Sequence, residues 1–372
     1  MSEIRREREA PASKDKKLRK KKIIEGAPII KRTSLKQISG ITGYSITTVS
    51  MVLNGRASDF NISRDTSELI LATAKKYNYQ PNLHARSLRN GTTNLLGLMV
   101  PTLYNHFFGE MAETYERLAR NNNKIALITV THYEPQEEID TLNYFLSQNV
   151  DCVFTANPMA IDEISDLCTR GGIKQILLDA PQSTKPTVTT DNFEASLVLT
   201  RMLLSSMTSA GRLGRIYYVG GMVEHQITMQ RLAGFKAALR EQGIGFSDDQ
   251  FIQTHFNAEN ANEKIEELFH SHNDIGGIFL NSLLALDGLV RFFPRQPEIC
   301  RQIHYGIFDY HPILNLLIDL KVLVIKQNAD LMMEKAYELF SGNVDPQEGT
   351  VHCVPYEIVL TPAMRPYFHN IE

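Results

Sequence analysis

The sequence has no apolar stretch of membrane-spanning length. Its longest, such as 95–101 and 124–130, are strand-length and far short of the ~20 residues a bilayer core requires, so no segment is expected to cross a membrane. The first residues are charged from Arg5 onward and hold no apolar segment ahead of a small-residue cleavage site, which does not read as a secretory leader and sets a cytoplasmic expectation. Four cysteines, Cys152, Cys168, Cys300 and Cys353, stand at unrelated spacings, with no Cys-x-x-Cys pair and no His-x-x-x-His partner. Buried, reduced thiols and no metal site are expected. Also missing are a Gly-x-Gly-x-x-Gly after a strand, a phosphate loop ending Gly-Lys-Ser/Thr and a Gly-x-Ser-x-Gly elbow; Gly211, Gly214, Gly220 and Gly221 make none of these spacings. No catalytic residue and no cofactor is assigned.

What is present is globular: 43% hydrophobic and 22% charged residues over 372 positions, enough for two or three domains at roughly 150 residues each. The net charge of −3 conceals an asymmetry. Residues 1–93 hold 19 Lys+Arg against 8 Asp+Glu, a net +11, while 94–372 hold 20 against 34, a net −14. A basic end on an acidic body points to a polyanion partner for the first part only. Within it, 1–32 carries Lys14, Lys16, Lys17, Arg19, Lys20, Lys21 and Lys22 with almost no apolar content, and reads as a disordered basic tail.

From Thr33 the pattern becomes three short helices. Ser34 and Gln37 make a capping box, Leu35, Ile38 and Ile41 follow at helical spacing, and Gly43 opens a tight turn. A second helix runs from Ser45 to Asn54 with Val49, Val52 and Leu53 inward; Thr47, Ser50, Met51 and Asn54 form an outward stripe of mostly small polar side chains. A third covers about 63–78, with Ile70, Ala74 and Tyr77 as its inner stripe. Two helices joined by a glycine turn and backed by a third make a helix-turn-helix DNA reader, although three-helix segments also serve as protein-interaction modules. Residues 79–91, Tyr-Gln-Pro-Asn-Leu-His-Ala-Arg-Ser-Leu-Arg-Asn-Gly, are basic and weakly helical, with no hydrophobic face to dock.

Over 35–101 the sequence resembles the LacI/GalR family of bacterial transcription regulators. The motifs are Gly43-Tyr-Ser-Ile-Thr-Thr-Val-Ser-Met-Val-Leu-Asn-Gly55, the Tyr79-Gln-Pro-Asn82 hinge start and Leu88; the insertion-like 56–62 and the run from Asn82 to Arg89 look most like the sucrose and fructose repressor branch. The resemblance implies that Ile46, Thr47 and Met51 read the major groove, that Ser45, Thr48, Ser50 and Asn54 position the backbone, and that Tyr79, Asn82, Ala85, Arg86 and Leu88 belong to a hinge folding on operator DNA with Leu88 wedged into the minor groove. Such a wedge spends a few kcal/mol on unstacking and gains contacts through the bend. Met51 departs from the arginine of many relatives, so apolar contact, for instance with a thymine methyl, replaces a bidentate guanine contact.

From Leu95 onward, Val/Ile/Leu-rich runs at 95–100, 124–131, 151–156, 174–179, 215–220, 276–281 and 303–308 alternate with amphipathic segments such as 107–122 and 226–242. Alternation of this kind argues for parallel sheets with helices on both faces, and roughly 280 residues exceed one comfortable core. The fold class expected is therefore α/β: an N-terminal three-helix helix-turn-helix domain (33–80), a hinge and linker (81–93), and a two-lobed core with parallel sheets (94–372). The family resemblance makes that core periplasmic-binding-protein-like, with three crossovers and a ligand in the cleft. No internal repeat is visible.

Ligands of open parallel sheets sit outside the carboxyl ends of strands. Asp179, Asn281 and Asp309 each end an apolar run, and a sugar, whose hydroxyls both donate and accept, needs such a set. Arg231, Asn281, Asp309 and Gln327 match effector-contacting positions of the family, while Phe107, Phe108 and Phe256 fall where it places cleft walls. Taken singly, a strand-end Asp is more often a cap, Phe107-Phe108 is core about as often as cleft, and Arg231 suits a lobe-stabilising ion pair. His225 and His311 lack the second ligand or paired carboxylate that a metal or catalytic site requires.

These readings converge on a DNA-binding repressor controlled by a sugar or sugar phosphate. A sugar-acting α/β enzyme with a helical extension is the alternative, and a secreted solute-binding protein fails on the leader and the DNA module. One helix-turn-helix reads half a site, so a two-fold dimer on a near-palindrome is expected; no leucine heptad follows Tyr367, which argues against a tetramer.

Overall fold

The computed structural model describes residues 33–80, 92–180, 185–212, 214–342 and 349–368. The basic tail and the hinge residues Asn82, Ala85, Arg86 and Leu88 lie outside them. By contacts the chain divides into two compact units, before and after the Leu83/His84 junction.

The first unit holds α1 (Leu35–Thr42), α2 (Ile46–Leu53) and α3 (Arg64–Lys76). Each begins at a serine whose hydroxyl accepts an otherwise unpaired amide: Ser34 from Gln37, Ser45 from Thr48 and Ser63 from Thr66. Ser34 and Gln37 complete the expected capping box, and Gly43, at φ 76°, ends α1 in the left-handed region that glycine enters without strain. Ile38, Val49, Val52 and Ile70 close a small core. Two expected core residues lie outside it: Ile41, on the last turn of α1, and Tyr77, which caps α3 after the chain has left the helical path, are both largely exposed, and Thr73 takes the buried position.

The second unit is two doubly wound lobes. In the first, β1 (Leu95–Val100), β2 (Ile125–Val130), β3 (Cys152–Ala156), β4 (Lys174–Leu178), β5 (Thr187–Thr190) and β11 (Val351–Val354) form one sheet in the order β2-β1-β3-β4-β5-β11, all parallel. Helix α4 (His106–Asn121) and α12 (Ala329–Ser341) cover one face through Met111, Tyr115, Met332 and Tyr337; α5 (Pro135–Ser147) and α6 (Ile161–Gly171) cover the other through Leu142, Phe145 and Ile164. Ala160 has no side chain to cap α6. Buried Glu138 on α5 does so instead, its carboxylate accepting from the Met159 and Ala160 amides at 2.9 and 2.8 Å.

The second sheet repeats the pattern with β6 (Arg215–Val219), β7 (Phe251–Ile252), β8 (Ile275–Leu280), β9 (His304–Phe308), β10 (Lys321–Gln327) and β12 (Tyr356–Leu360), in the order β7-β6-β8-β9-β10-β12; only β12 is antiparallel. Helices α7 (Asn192–Ser209) and α8 (Gln226–Glu241) pack on one face, α9 (Ala258–Ser271) and α10 (Leu283–Phe292) on the other, and a single turn, α11 (Pro297–Cys300), precedes β9. The chain passes between lobes three times: between β5 and α7, between β10 and α12, and at Pro355 between β11 and β12. Each of the seven runs read from sequence is a strand; five further strands, β5, β7, β10, β11 and β12, were not among them. Three cysteines are buried, but Cys353 is exposed because edge strand β11 has one uncovered side.

Helices α9 and α10 touch where a glycine permits it. A Cβ built on Gly288 meets Ala261 Cβ at 2.5 Å and the Asn262 amide at 2.7 Å, one of them unyielding backbone. Gly288→Ala should therefore overpack the contact by about 1–3 kcal/mol and lower the melting temperature by roughly 3–10 °C. An unchanged melt would show that the helices part freely.

Candidate functional site

In the first unit, the Ser45 hydroxyl lies 3.0 Å from the Thr48 amide and 2.8 Å from Thr48 Oγ1, so this pair fixes the start of α2. With Val49 and Val52 buried, Ile46 and Thr47 stand exposed and Ser50 and Met51 half-exposed on the outward side. Asn54 caps the far end, its amide donating to the Ser50 carbonyl at 2.6 Å. Tyr79 packs partly buried against the Ile38–Val49–Ile70 core.

In the second unit the strand ends converge between the lobes. Asp179 follows β4 and Asp309 follows β9, both non-glycine residues at positive φ (49° and 70°), a conformation that turns each carboxylate away from its strand and is tolerated by aspartate. Asp179 Oδ1 accepts from Thr189 at 3.2 Å and from Asn192 at 3.0 Å. Asp309 accepts from Gln327, at the end of β10, at 2.7 Å, and from Asn105 of the first lobe at 3.1 Å.

Arg231, on α8, is the one Lys or Arg among the buried described residues. Its Nε donates to Asn192 Oδ1 at 2.7 Å and Nη1 to the Asn281 carbonyl at 2.7 Å; Nη2 lies 3.8 Å from Asp179, and the guanidinium stands 3.8 Å over the Phe308 ring. The Asn281 side chain accepts from Tyr218 at 2.7 Å and faces Thr228. Burial raises the Asp179 carboxyl above its ordinary range, and Arg231, the next influence, pulls it back down. Burial and then Arg231 push His225 down to about 4, so its ring is neutral near pH 7. It hydrogen-bonds the Asn157 backbone and leaves Nδ1 unpartnered.

Two loops face each other across the lobes. His132 and Tyr133 on one, and His255 and Phe256 on the other, all have φ between 51° and 60°. Tyr133 stacks on Phe256 with centroids 4.3 Å apart and planes 8° from parallel, and His225 meets Phe256 edge-on at 5.0 Å. His106 and His311 form a further pair from the two lobes, 5.4 Å apart.

Of the residues expected from sequence, Asp179, Arg231 and Asn281 are thus linked, with Asn192, in one cluster, Asp309 and Gln327 form a second with Asn105 next along the chain from Phe308 under the guanidinium, and Phe256 stacks on Tyr133 between the same lobes. Phe107 and Phe108 are a correction. They start α4, which Asn105 caps through the Phe107 amide, and pack into the first lobe's core with Leu96 and Met111. Tyr133 occupies the wall position facing Phe256. Sequence reasoning missed Asn105, Tyr133 and Asn192 as network members and set His225 aside; Asn105 and Asp309 stand 204 positions apart, so no local pattern joins them. No group of three or more His, Cys, Asp or Glu poised for a metal occurs among the described residues. No described helix is long and apolar enough to cross a membrane.

Residues 96–298 match the periplasmic binding protein domain. The chain is 27% identical over 319 residues to the sucrose operon repressor of Klebsiella pneumoniae, covering 85% of this chain and 94% of that protein. It is 26% identical over 314 residues to the fructose operon regulatory protein of Vibrio cholerae, covering 82% and 92%. Among solved structures, the lac repressor dimer bound to operator and the anti-inducer ONPF superposes with a TM-score of 0.72 at 17% identity, covering 90% of this chain and all of that one. The chain belongs to the periplasmic binding protein domain family and, within it, is a LacI/GalR transcription regulator of the sucrose/fructose branch.

Proposed function

We propose that this protein represses a sugar-utilisation operon, binding a near-palindromic operator as a homodimer, and that an uncharged sugar held between its lobes sets its affinity for DNA. On this reading it is a cytoplasmic binding protein and performs no chemistry. The names of its sucrose and fructose relatives favour a fructose-containing sugar.

The observation that carries the reading is a set of buried, unpartnered polar atoms around the inter-lobe network. Asn157 Oδ1, Thr190 Oγ1, His225 Nδ1, Thr254 Oγ1, Ser282 Oγ and Gln327 Oε1 belong to residues at or just past the carboxyl ends of strands β3, β5, β6, β7, β8 and β10. An unmet buried group costs about 1–3 kcal/mol, and a polyhydroxy ligand with alternating donors and acceptors relieves several at once. Tyr133 and Phe256 would receive the apolar C–H face of such a ring. A phosphate ester fits less well: Asp179 lies beside the single guanidinium and Asp309 in the same inter-lobe region, two carboxylates that oppose a dianion, while Nε, Nη1 and one face of the guanidinium are already engaged.

For the DNA-binding half, the outward face of α2 supports Ile46, Thr47 and Met51 as groove-facing residues, with Ser45, Thr48, Ser50 and Asn54 positioning the backbone. Asn82, Ala85, Arg86 and Leu88 complete the proposal as hinge contacts. Sugar-driven motion between lobes would shift the paired hinges, and it acts only through a difference in sugar affinity between the two states.

A thermal-shift panel on the full chain tests the effector class. Sucrose or fructose should raise the melting temperature, with about 2.7 kcal/mol of stabilisation at a hundredfold excess over Kd, and phosphorylated fructose should do less. Stabilisation by the phosphates alone contradicts the neutral-sugar reading. Arg231→Ala removes the guanidinium that orients Asn192, Asn281 and Asp179, so sugar affinity measured by calorimetry should fall at least about tenfold; unaltered affinity would take Arg231 out of the site.

A further inference from the structure

The chain that leaves the helix-turn-helix unit enters the first lobe at 92–94, ahead of β1 and at the sheet end opposite the inter-lobe residues. One side chain holds this entry. Asp151, the residue before β3, accepts from the Thr93 amide at 2.8 Å and from the Asn94 amide at 3.0 Å. The Thr93 hydroxyl lies 2.9 Å from Asp151 Oδ1 and 2.7 Å from the Asn149 carbonyl, and shares its single proton between them. Lys124, the residue before β2, donates to Asp151 at 3.2 Å. Backbone bonds close the same corner: the Ile125 amide donates to the Asn94 carbonyl at 2.8 Å and the Asp151 amide to the Leu95 carbonyl at 2.7 Å.

The backbone bonds register β1 against β2 and β3. The carboxylate adds charge-assisted bonds to two successive amides that precede the strand, and with its side chain 13% exposed they are largely shielded from water. Thr93 and Asn94 therefore move with the starts of β2 and β3. The far ends of the strands lie at the inter-lobe site. β3 stands between β1 and β4 and ends at Ala156; the next residue, Asn157, has a buried, unpartnered Oδ1 and is bonded through its backbone to His225 of the second lobe. Asp151 and Asn157 are six residues apart, roughly 20 Å of extended strand. β1 runs in the same way from Asn94 toward Asn105, which bonds Asp309 across the lobes. Close-packed strands covered on both faces pass on a displacement rather than absorb it.

We propose that Asp151 is a positioning residue for the allosteric response: it fixes the end of the linker to the first lobe, so that a displacement of that lobe made at the inter-lobe site reaches the linker instead of being lost in a loose joint. The inference rests on the sugar-controlled DNA binding proposed above. Asp151 touches neither sugar nor DNA in this role; it acts through Thr93 and Asn94, the last residues before the core. A clamped linker also enters DNA binding with less freedom to lose, so the same contact favours specific binding before any sugar is present.

Full-length wild type, Asp151→Asn and Lys124→Gln are compared on a labelled duplex that the wild type selects from a random pool, with and without sucrose or fructose. In Asp151→Asn a donor replaces one acceptor oxygen facing the linker amides. Affinity for the selected duplex should fall about tenfold, as loss of one charge-assisted hydrogen bond predicts, while affinity for nonspecific DNA holds. The factor by which sugar alters duplex affinity should drop below about twofold with sugar affinity itself unchanged, a split that a general loss of stability does not produce. Amide exchange at Thr93 and Asn94 should quicken. Lys124→Gln, which removes the ion pair and leaves the linker contacts, should match wild type in all of these. Melting curves establish that the variants are folded. A folded Asp151→Asn with wild-type duplex affinity and amide protection, or an equal loss in Lys124→Gln, overturns the proposal. A wild type whose duplex affinity ignores both sugars contradicts the effector reading instead, and sugar-free duplex affinity with amide exchange still decides the clamp.

Discussion

A guanidinium removed from water costs several kcal/mol unless its charge and all its donors are met, and in this protein the groups that meet Arg231 come from separate parts of the chain. Asp179 belongs to the first lobe, Asn192 to the crossing that leaves it, and Asn281 and Phe308 to the second lobe. None of these elements satisfies the arginine alone. The lobes are therefore coupled through a buried charge, and moving one against the other disturbs its solvation. Asn105 on Asp309 and Tyr133 on Phe256 add a polar and an aromatic bridge across the same gap. A ligand that inserts hydroxyls into this network changes its energetics at the place where inter-lobe geometry is decided.

Much of the architecture is legible in the sequence because parallel strands covered on both faces are continuous apolar runs. Leu95–Val100 and Ile275–Leu280 stand out for that reason. Thr187–Thr190 does not, since threonine also suits turns and the strand is four residues long; Phe251–Ile252 is too short for any period. Val351–Val354 and Tyr356–Leu360 lie at sheet edges, half-exposed, where composition is mixed. Lys321–Gln327 holds the same Val/Ile signal as the strands that were read, so nothing physical hid it. The two lobes share a strand order without a visible repeat, because packing on both faces asks only for apolar residues of suitable volume.

The site divides similarly. Asp179, Asn281 and Asp309 are visible as polar ends of apolar strands, a position with chemical meaning in any open parallel sheet. Asn105, Asn192 and Tyr133 carry no such mark, and it is topology that brings them to the network. Phe107 and Phe108 show the converse: an aromatic pair near a strand end reads as a wall, yet Asn105 caps the helix so that both rings turn into the core. Local pattern identifies which strand ends are polar; only the folded chain says which side chains they meet.

The account rests on one linkage, between sugar held at the Arg231 network and operator held by the helix-turn-helix unit. Linkage is reciprocal, so the factor by which sugar changes the dissociation constant for operator must equal the factor by which operator changes that for sugar. Measuring both on the full chain, by fluorescence anisotropy with labelled operator and by calorimetry with sugar, is the most direct test. The account predicts two equal factors of roughly fivefold or more, the lower end of ordinary allosteric coupling. A sugar that binds with the same affinity whether or not operator is present would contradict it.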